Sequence, residues 1–319
     1  MNHTEKLLAE DKNIVSWNIT NITSLSTEAP DKFDLKPTIV SVTPVITSND
    51  GITSAKTRYT NKFYFYDKDV IIGQSIRHYG EYTQIELDLL ANYINENTVV
   101  YDVGGNIGYH CVGFAHRAKH VYSFEPNIKN YKLLEMNTEN LKNVTLIKAA
   151  VSDTKGKSFI SDYELDGHGN YGECMMSDTD GQPCITLRID DLNIDKPQLI
   201  KIDVEGHELK VFKGAMETIR NNTPVIFYEA MHGSGFDEIY DFLHTELGYN
   251  LYWIAVPNYN PRNYNGIARN IFGQGGVINV LALPKEHPVD SYLERMVDRN
   301  DTHIKFLQRL QARFNNTRA

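Results

Sequence analysis

The sequence predicts an α/β fold in which a mostly parallel sheet of seven strands carries helices on both faces. Short apolar runs that end in an acidic residue alternate with segments whose apolar residues recur at helical spacing. Between residues 99 and 151 this alternation gives three strands and two helices, the pattern of a parallel sheet joined by helical crossovers. A glycine-rich turn follows the first of these strands, as in doubly wound folds that bind nucleotides. We expect an antiparallel last strand to close the sheet.

The predicted domain begins before the first strand of this sheet. Residues 62–76, KFYFYDKDVIIGQSI, contain two β-like runs on either side of Asp67–Asp69 and predict a hairpin. In the following segment, residues 79–95, Ile85 and Leu89 share one helical face. We expect this helix to lead into the first strand and to cover a bound cofactor.

The sheet itself is predicted from seven apolar runs, with helices or loops between them. The predicted strands are 99–103, 120–125, 144–151, 198–203, 224–229, 251–256 and 276–283. Apolar residues at helical spacing predict helices over 107–118, over 127–141 and after the strand ends at Asp203 and Glu229. Residues 156–186 contain too much glycine for a helix, and we expect a β-hairpin with a flexible loop over the mouth of the site.

Three segments are predicted along the chain. Residues 1–57 are rich in Ser, Thr and Asn and form a partly ordered N-terminal extension. This extension is either strand-forming and packs on a partner subunit to give a homodimer, or a poorly ordered lead-in. Residues 58–288 form the main domain, and apolar residues at helical spacing predict a C-terminal helical segment over 289–319.

Charge and cysteine content exclude several classes of protein. The 319 residues carry a formal net charge of −9, which argues against an extended nucleic-acid surface because such a surface needs a basic stripe. Three widely spaced cysteines without a C-x-x-C motif indicate a reducing compartment, so we expect a cytoplasmic protein. The sequence contains neither an apolar run of membrane-spanning length nor a secretory signal, and we expect no membrane partner.

Residues 99–110, VVYDVGGNIGYH, form the turn around which the rest of the prediction is organised. Glycines in such a turn let backbone N–H groups approach a ligand, and the start of the next helix favours an electron-rich group. Asn106 interrupts the glycine spacing of a dinucleotide site, and the lysine of a phosphate-binding P-loop is missing. Asp102 at the strand end suits a cationic amino-acid ligand such as S-adenosylmethionine, whose ammonium it would hold directly or through water. The predicted cofactor-binding residues of the turn are Asp102, Gly104, Gly105, Asn106 and Gly108.

Two further acidic residues are candidates for the same cofactor. Glu125 ends the second strand, where a carboxylate faces the ribose hydroxyls of a bound adenosine. The alternative is an acid that interacts with a helix dipole. Asp153 follows the third strand and is a candidate for a hydrogen bond to adenine, or else an ordinary turn residue.

Several of these stretches together resemble the FkbM family of S-adenosylmethionine-dependent methyltransferases. The matching motifs are YDVGGNIGYH, FEPN, KAAVSD, LIKIDVEGHELKVFKGA and IFYEA, in that order, between about residues 63 and 285. The resemblance implies a Rossmann-like class I methyltransferase fold, S-adenosyl-L-methionine as cofactor and O-methylation of hydroxyls, often on sugars. It does not identify the acceptor.

The acceptor side is predicted at the ends of the fourth and fifth strands. Asp203 is the expected general base or metal ligand, Glu229 is its neighbour, and His207 or His232 would assist. Asp203 and Glu229 together would suit the oxygen ligation of Mg²⁺. The alternatives are that Asp203 caps a helix and that His207 forms a local hydrogen bond.

The sequence therefore predicts an O-methyltransferase that acts on a hydroxyl of a sugar or glycan. One alternative is a methyltransferase for RNA ribose hydroxyls, against which the acidic charge balance argues. The other is a non-catalytic subunit that keeps the fold.

Overall fold

The computed structural model describes residues 51–165, 167–230, 235–288 and 293–316, with side chains up to residue 313. The strands are β1 (Ile52–Ala55), β2 (Phe63–Tyr66), β3 (Val99–Val103), β4 (His120–Phe124), β5 (Val144–Ile147), β6 (Ala150–Val151), β7 (Gly156–Ile160), β8 (Met176–Ser177), β9 (Gln182–Leu187), β10 (Leu199–Ile202), β11 (Val225–Glu229), β12 (Asn250–Pro257), β13 (Gly276–Leu283) and β14 (Glu294–Arg295). The helices are α1 (Ile72–Tyr79), α2 (Gln84–Leu90), α3 (Tyr109–Ala115), α4 (Ile128–Thr138), α5 (Glu208–Gly214), α6 (Met216–Asn222), α7 (Phe236–Tyr240) and α8 (His303–Asn316). Most of the predicted extension, and His232, lie outside the described residues.

The main sheet has the order β14-β12-β13-β11-β10-β3-β4-β5. Strands β5, β4, β3, β10 and β11 are parallel, and β13 runs antiparallel between β11 and β12. Six of the seven predicted strands and the antiparallel last strand are confirmed, the third is only partly confirmed, and the two-residue strand β14 is added at the edge. The connections reverse direction between β3 and β10, which is the point where doubly wound sheets bind ligands.

Helices cover both faces of this sheet, as predicted. The strand residues alternate between two buried clusters, because successive side chains of a strand point to opposite faces. One cluster joins Tyr101 and Ile200 to Phe212 of α5, and the other joins Val100 and Leu199 to residues of α2, α3 and α4. None of the helices among the described residues has the length and apolar character needed to cross a membrane.

Two predicted elements differ in the structure. The expected hairpin over 62–76 is wrong in its second half, because residues 72–79 form α1 and β2 pairs instead with the preceding strand β1. The carboxylate of Asp69 accepts a hydrogen bond from the Ile71 N–H group at 2.8 Å, which helps to turn the chain into this helix. Of the short apolar run VII at 70–72, Val70 and Ile71 form the turn before the helix and Ile72 begins it, and periodicity alone does not distinguish this arrangement from a strand.

The predicted third strand, 144–151, is divided between two sheets. Its first part is β5 of the main sheet, whereas Ala150–Val151 form β6 and pair with β9 in a second sheet of order β6-β9-β7-β8. This second sheet contains the hairpin predicted between residues 156 and 186, since β7 and β9 are antiparallel. It stands beside the carboxyl end of the main sheet, where the site is expected.

Candidate functional site

A cavity of about 270 Å³ lies at the carboxyl ends of the central parallel strands. Its wall includes the turn after β3, the ends of β4, β10 and β11, and parts of the second sheet. The cavity is lined, among other residues, by Thr83, Glu86, Gly104, Gly105, Asn106, His110, Glu125, Ala149, Ala150, Val151, Asn170, Glu173, Lys201, Asp203, Glu205, His207, Glu229, Asn258 and Asn279. The predicted location of the site is thus the location of the cavity.

The glycine turn is packed too closely to accept side chains. A Cβ atom on Gly104 would lie 1.8 Å from the carbonyl oxygen of Asp203, and one on Gly105 would lie 2.1 Å from Oγ of Ser123. Gly104 also has φ +83°, a conformation that L side chains rarely adopt. Gly108 (φ +94°) instead faces Leu134 of α4 and is not on the cavity wall. Its predicted contact with the cofactor is therefore replaced by packing between helices.

Asp102 lies beneath the turn and is completely buried. Its Oδ2 accepts a hydrogen bond from Oγ of Ser123 at 3.0 Å, and its Oδ1 lies 3.6 Å from Nζ of Lys201. It does not line the cavity, which argues against a direct contact with the cofactor ammonium, whereas the predicted contact through water stays a prediction. Asp102 instead anchors the strand end from which the turn departs.

Lys201 is the cation at the centre of this region, and the sequence analysis missed it. Its Nζ lies 3.2 Å from Oδ2 of Asp203 and donates a hydrogen bond to the carbonyl oxygen of Gly104 at 2.9 Å. Burial alone would lower the pKa of Lys201, but the charges of Asp203 and Asp102 outweigh it and raise the pKa above its ordinary value. A lysine inside an apolar strand, in LIKID, was the available indication.

Glu125 lines the cavity next to the turn. Its Oε2 accepts the N–H of Asn106 at 2.8 Å and its Oε1 accepts the N–H of Asn127 at 2.7 Å. Burial raises its pKa to about 7, although these two backbone hydrogen bonds oppose the change. Both oxygens retain lone pairs that can accept further hydrogen bonds. The geometry therefore suits the predicted contact with hydroxyl groups.

Three carboxylates meet on the acceptor side of the cavity. Asp203, Glu205 and Glu229 each offer one oxygen, and these oxygens lie within 4.8 Å of one another, compact enough for one metal ion. Burial and then the charges of Asp203 and Glu205 raise the pKa of Glu229 well above its ordinary value. Helix α5 begins only at Glu208, whose Oε1 accepts the N–H of Gly206, so the capping alternative for Asp203 is wrong.

Of the two histidines predicted to assist Asp203, His207 lies among the described residues and His232 does not. His207 lines the cavity, but its Nε2 lies 3.0 Å from Oγ of Ser152. Burial and the charge of Lys210 lower its pKa to about 4, so that the imidazole is neutral at neutral pH. Asp153 does not line the cavity, where residues 149–151 form the wall instead. Asp153 instead takes part in a local contact, because its Oδ1 accepts a hydrogen bond from Oγ of Ser152 at 3.3 Å.

Comparisons with known proteins identify the family of this domain. Residues 102–251 match the family model described as the methyltransferase FkbM domain. The chain therefore carries a methyltransferase domain of the FkbM family. Domains of this family belong to S-adenosylmethionine-dependent methyltransferases.

Three relatives illustrate the similarity of this FkbM domain. The hexuronic acid methyltransferase AglP of Haloferax volcanii is 30% identical over 144 residues, which cover 43% of this chain and 58% of that protein. The methyltransferase FkbM of Methylobacillus flagellatus KT is 18% identical over 59% of this chain and 44% of that chain, with a TM-score of 0.40. A Streptococcus mutans methyltransferase structure in complex with SAH is 15% identical over 63% of this chain and 97% of that chain, with a TM-score of 0.35.

Residues outside the matched FkbM stretch complete the cavity. Glu86 of α2 accepts a hydrogen bond from Nδ2 of Asn279 at 3.0 Å, and its other oxygen lies 3.0 Å from Nε2 of His110. Thr83 Oγ1 lies 3.1 Å from the same nitrogen. The segment before β3 thus lines the cavity, as expected of a covering element. Sequence reasoning missed this group because its members are far apart along the chain.

Backbone strain is concentrated at the FkbM site. Among the described residues, four positions other than glycine have positive φ, namely Thr83, Asn106, Glu205 and Thr223. The first three line the cavity. Such conformations persist only where the surrounding structure enforces them, and they are frequent at functional sites.

Proposed function

We propose that the protein transfers the methyl group of S-adenosylmethionine to a hydroxyl oxygen of a sugar, free or within a glycan. The single observation that carries the proposal is the cavity at the switch point of an FkbM methyltransferase domain, with a glycine turn on one side and carboxylates on the other. The hexuronic acid named for the AglP relative supports a sugar as the class of acceptor. The chain spans 58% of that relative, so its acceptor is a proposal here.

The residues present fit the cofactor. A Cβ at Gly104 or Gly105 would collide with neighbouring atoms, so these positions keep the turn in the form that brings its backbone close to a ligand. Glu125 would hold the ribose hydroxyls, and the strand end at residues 149–151 would face the adenine. When bound, the cofactor supplies an electrophilic methyl group on a sulfonium. The negative wall favours this positive centre, because opposite charges attract strongly in a partly desolvated site.

The acceptor proton requires a base, because a sugar hydroxyl is a weak nucleophile with a high pKa. Asp203 directly follows β10 at the same sheet edge as the turn, and its side chain lines the cavity and is 41% exposed. We assign Asp203 the role of receiving this proton, with Glu229 beside it. His207 would contact the nucleoside side rather than the acceptor, since it bonds to Ser152 after the third strand.

A divalent cation is the finer part of the proposal. The three clustered carboxylates offer oxygen ligands of the kind that Mg²⁺ prefers. Calorimetric titration of the protein with Mg²⁺, without cofactor or acceptor, tests this directly. We expect binding that the variant Glu205→Gln weakens about tenfold, whereas Glu139→Gln, at the exposed residue that follows α4, leaves it unchanged. Absence of heat in the wild-type protein would remove Mg²⁺ from the proposal without affecting methyl transfer.

The main test combines binding with transfer. Calorimetry should show S-adenosylmethionine and S-adenosylhomocysteine bound by the wild type, and bound at least about tenfold more weakly by Glu125→Ala, with Glu139→Gln as the control. Mass spectrometry of a sugar panel incubated with methyl-labelled cofactor should then show a labelled methyl ether. A wild-type protein that is folded but binds neither compound would refute the proposal. Salt-sensitive labelling of RNA instead of sugars would favour the ribose alternative.

A further inference from the structure

The charged side chains in the wall of the cavity are mostly acidic. Six carboxyl groups of the described residues line it, from Glu86, Glu125, Glu173, Asp203, Glu205 and Glu229. Proteins that bind carboxylates use arginine or lysine for this purpose, because these side chains supply charged donors. Among the described residues, no arginine lines the cavity, and Lys201 is the one lysine in the wall.

That lysine is already engaged within the protein. Its side chain is 3% exposed, and its ammonium contacts Asp203 and the carbonyl oxygen of Gly104, with Asp102 slightly farther away. These partners fix the ammonium group of Lys201 beneath the turn and offset its positive charge. Within the described part of the chain, an incoming anion would therefore meet carboxylates and no lysine or arginine free to pair with it, and the positive centre beside it would be the sulfonium of the bound cofactor.

Uncharged polar groups complete the acceptor side. The amide side chains of Asn170, Asn258 and Asn279 line the cavity, and an amide can both donate to and accept from hydroxyl groups. Asn279 Nδ2 is bonded to Glu86, which leaves its carbonyl oxygen as an acceptor. Sugar hydroxyls have the complementary donors and acceptors, whereas a carboxylate offers acceptors only.

The carboxylates of the wall can also act as a base, which a hydroxyl acceptor needs and a carboxylate acceptor does not. Transfer to a hydroxyl breaks the O–H and C–S bonds and forms a C–O bond; the C–S electron pair stays on the sulfur and the proton leaves to a carboxylate. Transfer to a carboxylate oxygen releases no proton, because the nucleophile is already an anion. A wall rich in carboxylates therefore serves the first reaction and opposes the second.

We propose that the sugar unit that receives the methyl group is uncharged, and that the cavity wall excludes a uronate from this position. This inference rests on the proposed function and narrows its acceptor class. The acceptor of this chain would then differ from the hexuronic acid in the name of the AglP relative. A divalent cation on Asp203, Glu205 and Glu229 would carry less charge than its three ligands, so the wall would remain negative with the ion in place.

Matched pairs of acceptors test the inference. Each pair consists of a methyl glycoside of a hexose and that of the corresponding uronic acid, in the gluco, galacto and manno series, so that only C6 differs. Transfer of labelled methyl from S-adenosylmethionine is measured at pH 8 and low salt, once with EDTA and once with Mg²⁺. We expect the best neutral member to exceed its uronate by at least about tenfold in kcat/KM under both conditions, and the ratio to fall with added salt.

The exposed acid Glu173 provides a variant that changes charge at the mouth. Glu173→Gln should lower the ratio of kcat/KM for the neutral sugar to that for its uronate by about two- to fivefold, chiefly by improving transfer to the uronate. Glu173→Lys should lower this ratio further. Glu139→Gln removes one charge at the C-terminal end of α4, outside the cavity wall, and should leave the ratio of kcat/KM values unchanged. A merely structural role of Glu173 would change both members of a pair equally.

The outcomes separate this inference from the proposed function. Equal transfer within a pair, or a uronate preferred in EDTA or Mg²⁺, overturns the inference and leaves sugar methylation standing. No label on any neutral member, although calorimetry shows the cofactor bound, also overturns it. Failure of the wild type to bind the cofactor overturns the proposed function instead.

Discussion

The Nζ atom of Lys201 lies 3.2 Å from Oδ2 of Asp203, in an ion pair whose lysine is 3% exposed and whose carboxylate is 41% exposed. The pair joins the interior of the sheet to the mouth of the cavity. Lys201 also bonds to the turn at Gly104. One buried charge thus ties the glycine turn to the carboxylate that we assign as the proton acceptor.

Replacement of this lysine tests its structural weight. Lys201→Met keeps an unbranched chain but leaves Asp102 buried without its positive neighbour, which typically costs about 3–5 kcal/mol when one partner of a buried pair is removed. We expect a loss of this size in the free energy of unfolding, measured with urea. The exposed Lys213→Met on α5 should change it by less than about 0.5 kcal/mol. Equal stability of the two variants would contradict the assignment.

Glu125 predicts a dependence on pH. Its pKa rises from 4.5 to about 7 in the folded protein because of burial, so the folded state binds this proton more tightly than the unfolded state. Its contribution to stability is therefore present below pH 4.5 and is lost as the pH rises toward 7, with a change of about 3 kcal/mol. Comparison of the urea unfolding of wild type and Glu125→Gln between pH 5 and pH 8 measures it.

Cofactor affinity should follow the opposite course. The ionised carboxylate is the better acceptor for ribose hydroxyls, so affinity for S-adenosylhomocysteine should increase as the pH rises through about 7. Glu125→Gln should flatten this profile in calorimetry. A profile that is the same in the two proteins would show that another group titrates.

The group formed by Glu86, His110 and Asn279 predicts energetic coupling. Glu86→Ala would leave two buried polar side chains without their carboxylate, at a cost of about 2–4 kcal/mol. Because His110 and Glu86 are in direct contact, the double variant with His110→Phe should be less unstable than the sum of the single variants, by about 1–3 kcal/mol. Additive losses in a double-mutant cycle would show that the 3.0 Å contact carries no energy.

Part of this site could be predicted from local sequence alone. The residues at strand ends, Asp102, Glu125, Asp203 and Glu229, follow from apolar runs that stop at an acid, and the fold requires those ends to meet at one sheet edge. The pattern does not say how deep each acid lies. Asp102 is covered by Ser123 and Lys201, whereas Glu125 reaches the cavity, and this difference depends on side-chain contacts between strands.

The elements that were mispredicted share another cause. The run VII in 70–72 fits a strand or a helix by periodicity, and a contact with Asp69 contributes to the helix. Residues 144–151 form one apolar run, but Ala150–Val151 find a partner in β9 rather than β4. A local side-chain hydrogen bond contributes in the first case and a tertiary strand pairing decides the second, and neither is visible in the apolar pattern.

The two adjacent glycines of the turn have different close neighbours, so their alanine variants should respond differently to a second substitution. A Cβ on Gly104 would meet the backbone carbonyl of Asp203, and φ is positive there; a Cβ on Gly105 would meet the side-chain Oγ of Ser123. No substitution removes the backbone carbonyl of Asp203, whereas the hydroxyl of Ser123 can be removed. We therefore expect Ser123→Ala to recover about 1 kcal/mol or more of the unfolding free energy lost in Gly105→Ala, and to recover none in Gly104→Ala.

A matched glycine outside the site provides the control for this experiment. Gly156 in β7 has no neighbour closer than 3.8 Å to a Cβ, so Gly156→Ala should be neutral or slightly stabilising. Thermal unfolding of the single and double variants, with calorimetric binding of S-adenosylhomocysteine, gives both readouts. If Ser123→Ala recovers the two turn variants equally, the clash at Gly104 is not with Asp203, and the close approach of β3 and β10 is not what fixes the shape of the cofactor turn.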